Sequence, residues 1–149
     1  MKKKSLSAKK TIHKNLFKFL KNNKIKKTYL KFKNNISNLK NAEKIALAVS
    51  GGPDSMALAY LLKCYSLEKN IKVFFYQIDH KLRKISSKEA LLVHNELKEI
   101  DINSKIIIWR GSKPNSNIQS LAREKRYSLI INQSIQDKVK IIFTAHHQE

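Results

Sequence analysis

Between an apolar run and a helix-like run, the chain reads Ser50-Gly51-Gly52-Pro53-Asp54-Ser55. The two glycines lack side chains, so their backbone N–H groups can approach an anion closely. The positive end of the following helix adds to that attraction. Ser50 and Ser55 bring hydroxyls that can donate to phosphate oxygens. Asp54 is the odd member, because a carboxylate repels phosphate. It makes sense where a divalent cation lies between them, which points to Mg²⁺. A Walker loop needs a lysine just before its Ser/Thr, and Asp54 stands there instead. A dinucleotide loop needs a third glycine that is absent. The alternative is a plain strand-to-helix turn, which leaves the coincidence of serines, glycines and aspartate at this place unaccounted for.

The elements that must position this loop follow from periodicity. Lys44 to Ser50 is a short apolar run without polar alternation, as expected of a buried parallel strand. Ala57, Leu58, Leu61, Leu62 and Tyr65 then share one helical face. Ile71 to Asp79, Lys105 to Trp109 and Lys140 to Ala145 read as three further strands. Ser86 and Glu89 have capping-box spacing, with Ala90, Val93, Leu97 and Ile100 forming a helical stripe behind them. A helix with Asn117 as N-cap carries Ile118, Leu121, Ala122 and Leu129. Strand and helix alternate four times, which argues for an α/β fold: a parallel sheet with right-handed crossovers and helices on both faces. In such sheets ligands bind at the carboxyl ends of the strands, where Ser50 to Ser55 falls. The chain stops after its fourth strand, where a covering helix normally follows, so a fragment is expected.

The first 40 residues have a different texture. Met1 to Lys44 carries 15 lysines and one acid, Glu43, and so accounts for +14 of the net charge of +20. Met1 to about Lys10 reads as a solvated tail. From Thr11 to Leu39, Leu16, Phe19, Leu20, Tyr29, Leu30, Ile36 and Leu39 recur at roughly helical spacing, with lysines in the gaps. We therefore expect a basic, partly helical extension over residues 1–40 and an α/β domain built around the glycine turn, incomplete at its C-terminus, over 41–149. A strongly basic segment suits a polyanion such as RNA or DNA. Only four of the 31 basic residues are arginines, and isoleucine and asparagine are abundant. AT-rich coding would leave the same trace, so charge alone keeps both readings open. No apolar run is long enough to span a membrane, no secretory signal is evident, and Cys64 is the single cysteine, which together suggest a cytoplasmic protein.

The loop resembles the S-G-G-x-D-S loop of the ATP pyrophosphatase (PP-loop) family, whose adenine-nucleotide alpha-hydrolase-like members split ATP between the α- and β-phosphates and adenylylate a substrate. Three more stretches are similar to those of the tRNA(Ile)-lysidine synthetases within it: Gln77 to Ala90 (QIDHKLRKISSKEA), Asn117 to Ile130 (NIQSLAREKRYSLI) and Phe143 to Glu149 (FTAHHQE). The resemblance covers Ile45 to Glu149 and implies ATP, Mg²⁺, tRNA(Ile) and L-lysine as cofactors and partners. It implies no membrane and leaves room for a homodimer. Such enzymes adenylylate the C2 oxygen of the wobble cytidine, and the lysine amine then displaces AMP.

By resemblance, Ser50, Gly51, Gly52, Pro53, Asp54 and Ser55 form the ATP site, with Asp54 near the metal. Asp79 and His80 would lie near the nucleotide, Arg123 and Arg126 would meet phosphate or tRNA backbone, and His146 would face the reacting centre. The resemblance implies Asp54, Arg123 and His146 as the catalytic residues. Glu149 takes the place of the first acid of a metal-binding pair. The family has glycine where Lys81 stands, so the loop after His80 is expected to differ. Duller readings stand beside these: Arg123 and Arg126 as solvated surface charges, His80 as a strand-end cap, His94 as structural and Cys64 as packing. His146 and His147 do not read as a metal pair, because neighbours on a strand point to opposite faces. Within the family the alternatives are a tRNA thiolation enzyme, which usually needs several cysteines, or an amide-forming synthetase. Outside it stands a non-catalytic basic RNA-binding fragment.

Overall fold

The computed structural model describes residues 16–39, 42–112 and 116–145. Four parallel strands, β1 (Lys44–Ala48), β2 (Lys72–Asp79), β3 (Lys105–Ile108) and β4 (Ile142–Thr144), form one sheet in the order β3-β2-β1-β4. Ala46 stands beside Phe74 on one flank and Ile142 on the other, so β1 is central. The strands are shorter than their apolar runs. Val49 is past the assigned strand although its amide still donates to the Tyr76 carbonyl at 2.7 Å, Ser50 lies in the turn, and β4 pairs with β1 over three residues only.

Among the described residues, α1 (Asn23–Asn35) comes first, and α2 (Pro53–Lys69), α3 (Ser86–Glu99) and α4 (Ile118–Gln136) cover the sheet. Side chains on β1 alternate between two packed layers. Ile45, Leu47 and Val49 pack with Ala59 and Leu62 of α2 and Leu97 of α3. Ala46 faces the other way, with Tyr76 of β2, Ile130 of α4 and Val139. Burial on both sides is why the strands lack polar alternation. Each fully buried aliphatic side chain here contributes about 1.5–3 kcal/mol. The chain runs β1-β2-β3 with helices on one face, then returns from β3 to β4 across α4 on the other. Reversing direction and face together keeps every crossover the same hand. The reversal puts a topological switch point between β1 and β4.

Helix starts differ in detail from the sequence expectation. The Ser86–Glu89 capping box does not form. Ile85 is the N-cap of α3 and caps nothing, because the Ser86 hydroxyl donates to Asp79 at 2.8 Å and Glu89 accepts from Arg83 at 2.9 Å. Asn117 does precede α4, but in a left-handed conformation (φ 49°) with no side-chain cap bond. Pro53 opens α2, where its fixed φ and missing N–H cost nothing. Asn70, at φ 55°, ends it.

Helix α1 begins at Asn22, whose side chain accepts from the amides of Lys24 and Ile25. Its buried Tyr29 lies on α2, and Tyr29 clusters with Leu16 before the helix, Ile36 just after it, and Cys64 and Tyr65 of α2. Three polar ties hold the pair. Tyr29 donates to Glu68 at 2.8 Å, Lys33 pairs with the same carboxylate, and the Tyr60 hydroxyl donates to the carbonyl of Leu16 at 2.7 Å. Burial and then the Glu68 bond push the Tyr29 phenol well above its usual pKa. Among the described residues no helix is long and apolar enough to cross a membrane.

Candidate active site

At the carboxyl end of β1 the backbone turns through Ser50, Gly51 and Gly52 into α2. Gly51 takes φ +87°, which L side chains rarely adopt. A Cβ there would stand 2.6 Å from Val93 Cγ2 on α3. Gly52 is less constrained: its φ is −72°, and a Cβ would meet only Ser50 Oγ at 3.7 Å. The turn is laced by one hydroxyl. Ser55, almost fully buried, donates to the Gly52 carbonyl at 2.9 Å and accepts from the Ser50 amide at 3.3 Å. Its Oγ also lies 3.1 Å from the Ser50 hydroxyl. Ser55 thereby shapes the loop from behind, while Ser50 remains exposed at its front. Asp54 is exposed in the first turn of α2.

In front of the turn a cleft of about 260 Å³ opens between the ends of the strands. Ser50 and Ser55 line it from the loop, His80 from the end of β2, Val93 from α3, Arg126 from α4 and Ala145 from the end of β4. Contributions from both β1 and β4 put the cleft at the switch point. His80 packs edge-on against buried Trp109, with ring centroids 6.2 Å apart. His94 lies elsewhere and takes part in a polar chain, with Nδ1 2.8 Å from Ser104 Oγ and the Gln77 amide donating to that same oxygen at 2.6 Å.

Asp79 is not on the cleft wall. It is buried at the end of β2 and both its oxygens are engaged. Oδ1 accepts from the Lys81 amide at 3.0 Å and the Ser86 hydroxyl at 2.8 Å, and Oδ2 from the Ser87 hydroxyl at 2.6 Å. Burial opposes the charge, but hydrogen bonds from Ser87, Ser86 and the Lys81 amide outweigh it, so the carboxyl sits below its usual pKa. Asp79 thus ties the start of α3 to the end of β2, and α3 in turn carries Val93 against Gly51. Lys81 adopts φ +53°, the left-handed conformation that glycine takes without strain. The loop keeps a glycine-type backbone even with lysine in place.

Of the two arginines three apart on α4, Arg126 is half-buried in the cleft wall and Arg123 is exposed outside it. His146 and Glu149 lie outside the described residues. Sequence reasoning passed over Leu82 and Arg83, which also line the cleft. Arg83 closes the motif-like stretch Asp79-His80-Lys81-Leu82-Arg83, and that position was the available signal. Among the described residues no three His, Cys, Asp or Glu side chains are grouped to hold a metal.

The arrangement fits a nucleotide tail. Backbone amides at a helix N-terminus, exposed hydroxyl and carboxylate groups at the loop mouth, and a half-buried guanidinium across the cleft together suit a triphosphate with a cation. Backbone close approach is what demands Gly51, since a side chain there would meet α3.

Comparison with known proteins agrees. A family model described as a PP-loop domain matches residues 21–149. A tRNA(Ile)-lysidine synthase of Rickettsia rickettsii (strain Sheila Smith) is 36% identical over 124 residues, covering 81% of this chain and 26% of that protein. The Rickettsia prowazekii (strain Madrid E) protein of the same name is 36% identical over 124 residues, covering 81% of this chain and 29% of its own length. The chain thus spans a little over a quarter of these relatives. A solved U34-tRNA thiolase from Methanococcus maripaludis superposes with a TM-score of 0.70 at 24% identity, over 83% of this chain and 46% of that one, which is a likeness of fold.

Proposed function

We propose, for a chain that belongs to the PP-loop domain family, that it supplies the ATP-handling core of a tRNA(Ile)-lysidine synthetase. The reaction would join L-lysine to the wobble cytidine of a tRNA(Ile) with a CAU anticodon. The cytosine C2 oxygen attacks the α-phosphorus of ATP and pyrophosphate leaves. The lysine amine then attacks C2, and AMP departs with that oxygen. The observation that carries the reading is the Ser50–Ser55 turn, held open by glycine against Val93 at the switch point of the sheet. Its relatives over 124 residues bear the lysidine synthase name.

In this reading the Gly51 and Gly52 amides and the N-terminus of α2 bind the departing pyrophosphate. Asp54, exposed beside them, would hold Mg²⁺, whose chemistry is to neutralise charge on the phosphates. Ser55 keeps the loop in shape. Arg126 faces the same cleft and offers a fixed positive charge to the triphosphate or the adenylylated base. His80 forms the wall beside the nucleotide. His146 and Glu149 complete the proposed set through the resemblance alone.

Thiolation chemistry is the nearest rival, since the solved neighbour is named a thiolase. The one cysteine weighs against it. Cys64 is fully buried under α1, and burial raises its thiol pKa, so it is poorly placed as a sulfur carrier. The test is radiolabelled L-lysine with ATP, Mg²⁺ and a tRNA(Ile) transcript bearing CAU. Label in the tRNA that requires ATP, Mg²⁺ and the CAU transcript, with pyrophosphate release that requires the transcript, is expected. Pyrophosphate release that ignores the tRNA, or no transfer of label to it, would sink the assignment.

A further inference from the structure

A second groove, of about 420 Å³, lies between the α1 segment and α2. Phe19, Lys24 and Ile25 form one wall, and Ala57, Tyr60 and Leu61 the other. Phe19 is 58% exposed and its ring stands edge-on to Tyr60, with centroids 6.0 Å apart and planes at 89°. A flat aromatic face on the surface is therefore braced from behind.

The groove adjoins the proposed active site. Ala57 is three residues beyond Asp54 and Leu61 seven, so at helical rise the groove runs from ~5 Å to ~10 Å along α2 from the phosphate-binding turn. Lys24 is the charged residue of its lining, and it continues into a lysine stripe beyond the groove. Lys24, Lys27 and Lys31 are exposed and spaced three and four apart, a single stripe along α1. No acidic residue occurs anywhere from Leu16 to Ala42. Lys33 differs, since it is tied to Glu68 on the packed side of α1.

A protein partner could use the apolar floor but would find no counter-charge duty for the lysine stripe unless it were acidic as well. A nucleic-acid strand uses both, because bases stack on aromatic faces whatever their identity and phosphates attract ammonium groups. We infer that this groove holds an unstacked base of the RNA strand flanking the reacting nucleotide, stacked on Phe19, with Lys24, Lys27 and Lys31 along its phosphates. The inference rests on the reading of the neighbouring cleft as the place where an RNA nucleotide meets ATP, but its contacts lie outside that cleft.

The test is fluorescence anisotropy of the full chain with a labelled stem–loop RNA bearing a CAU loop, titrated at several salt concentrations. Phe19→Leu, which keeps apolarity but loses the flat face, is expected to weaken binding about 5- to 10-fold with an unchanged salt slope. Phe19→Trp should restore it. Lys24→Glu/Lys27→Glu/Lys31→Glu should weaken binding further and flatten the slope of log affinity against log salt by about 2. Mg-ATP calorimetry on each variant should match wild type, which shows that the fold and the phosphate turn are intact. RNA affinity within about 2-fold of wild type for all variants would overturn the inference. So would loss of self-association by Phe19→Leu in sedimentation with RNA binding unchanged, which would assign the groove to a second copy. Wild-type protein that binds RNA through these residues yet gives no heat with Mg-ATP would instead defeat the reading of the cleft and leave the groove standing.

Discussion

Gly51 and Val93 are mutually exclusive with any side chain at position 51: a Cβ there would lie 2.6 Å from Val93 Cγ2. The turn that faces the cleft is thus backed directly by α3, whose Val93 lies 42 residues further along the chain. Gly51→Ala should lose about 2–5 kcal/mol, combining the left-handed φ with overpacking, and should abolish Mg-ATP binding. Adding Val93→Ala should recover the overpacking part of stability and leave the φ part. Urea unfolding of the four members of the cycle measures this, and full additivity would show that the two residues do not press on each other.

Gly52 offers a cleaner probe of function. Its φ is −72° and the space for a Cβ is open. Gly52→Ala should therefore fold with stability within about 1 kcal/mol of wild type. On the proposed function, Mg-ATP affinity should nevertheless fall at least about tenfold, because the triphosphate would approach the backbone at this amide. Unchanged calorimetric affinity would mean that the anion sits elsewhere.

Much of this was legible in the sequence, for physical reasons that can be named. Lys44–Ala48 and Lys72–Asp79 read as strands because both faces of the sheet are covered, so no polar alternation interrupts them. The strand-to-helix turn at Ser50–Ser55 read clearly because its glycines and Pro53 are contiguous in the chain. What failed was what depends on distant partners. The Ser86 hydroxyl could not be assigned from spacing, because Asp79 takes it before α3 can use it as a cap. The engagement of Asp79 itself hid for the same reason. Arg123 and Arg126 looked equivalent, since three helical residues leave them near one face. Only the packing of α4 against Tyr76 and Val139 decides which of them reaches the cleft.

Asp79 makes acid stability testable. Its carboxyl is held below the usual value, so its contribution is fully present above about pH 4, where the unfolded chain's aspartate is ionised. That contribution drains away as pH falls through the lower, folded value. Asp79→Asn removes the charged acceptor of the Ser86 and Ser87 hydroxyls and should cost about 1.5–3 kcal/mol at pH 7. The gap between wild type and variant should narrow toward pH 3. Thermal unfolding at pH 7, 5, 4 and 3 checks the sign, and a gap that widened in acid would refute it.

Lys81 carries a backbone conformation that suits glycine. Its ammonium lies 3.7 Å from Asp79 Oδ2 but is about half exposed, so that pair contributes little. Relief of the left-handed φ by Lys81→Gly is partly offset by the greater freedom of glycine in the unfolded chain. The net expectation is unchanged or higher stability, by up to about 1 kcal/mol. Lys81→Val, with a branched Cβ in the same conformation, should lose at least about 1–2 kcal/mol. Equal unfolding midpoints for the glycine and valine variants would show that the loop after His80 does not hold this conformation in solution.

The two arginines of α4 should separate by phenotype. Arg126 lines the cleft from a half-buried position, whereas Arg123 is exposed one turn nearer the helix start. A guanidinium confined in the cleft can meet phosphate or the adenylylated base with little solvent competition. Arg126→Ala should then lower ATP-dependent pyrophosphate release at saturating RNA by about tenfold or more, with a smaller effect on RNA affinity. Arg123→Ala should act in the opposite way. Its effect, if it meets the RNA backbone, is a weaker affinity that fades at high salt while the rate at saturation holds. Stopped assays of pyrophosphate release, run at several salt concentrations with RNA titrated to saturation, resolve the two. A variant pair with the same loss of rate at saturation would mean that both arginines reach the reacting centre, and that α4 rotates or shifts when the RNA is bound.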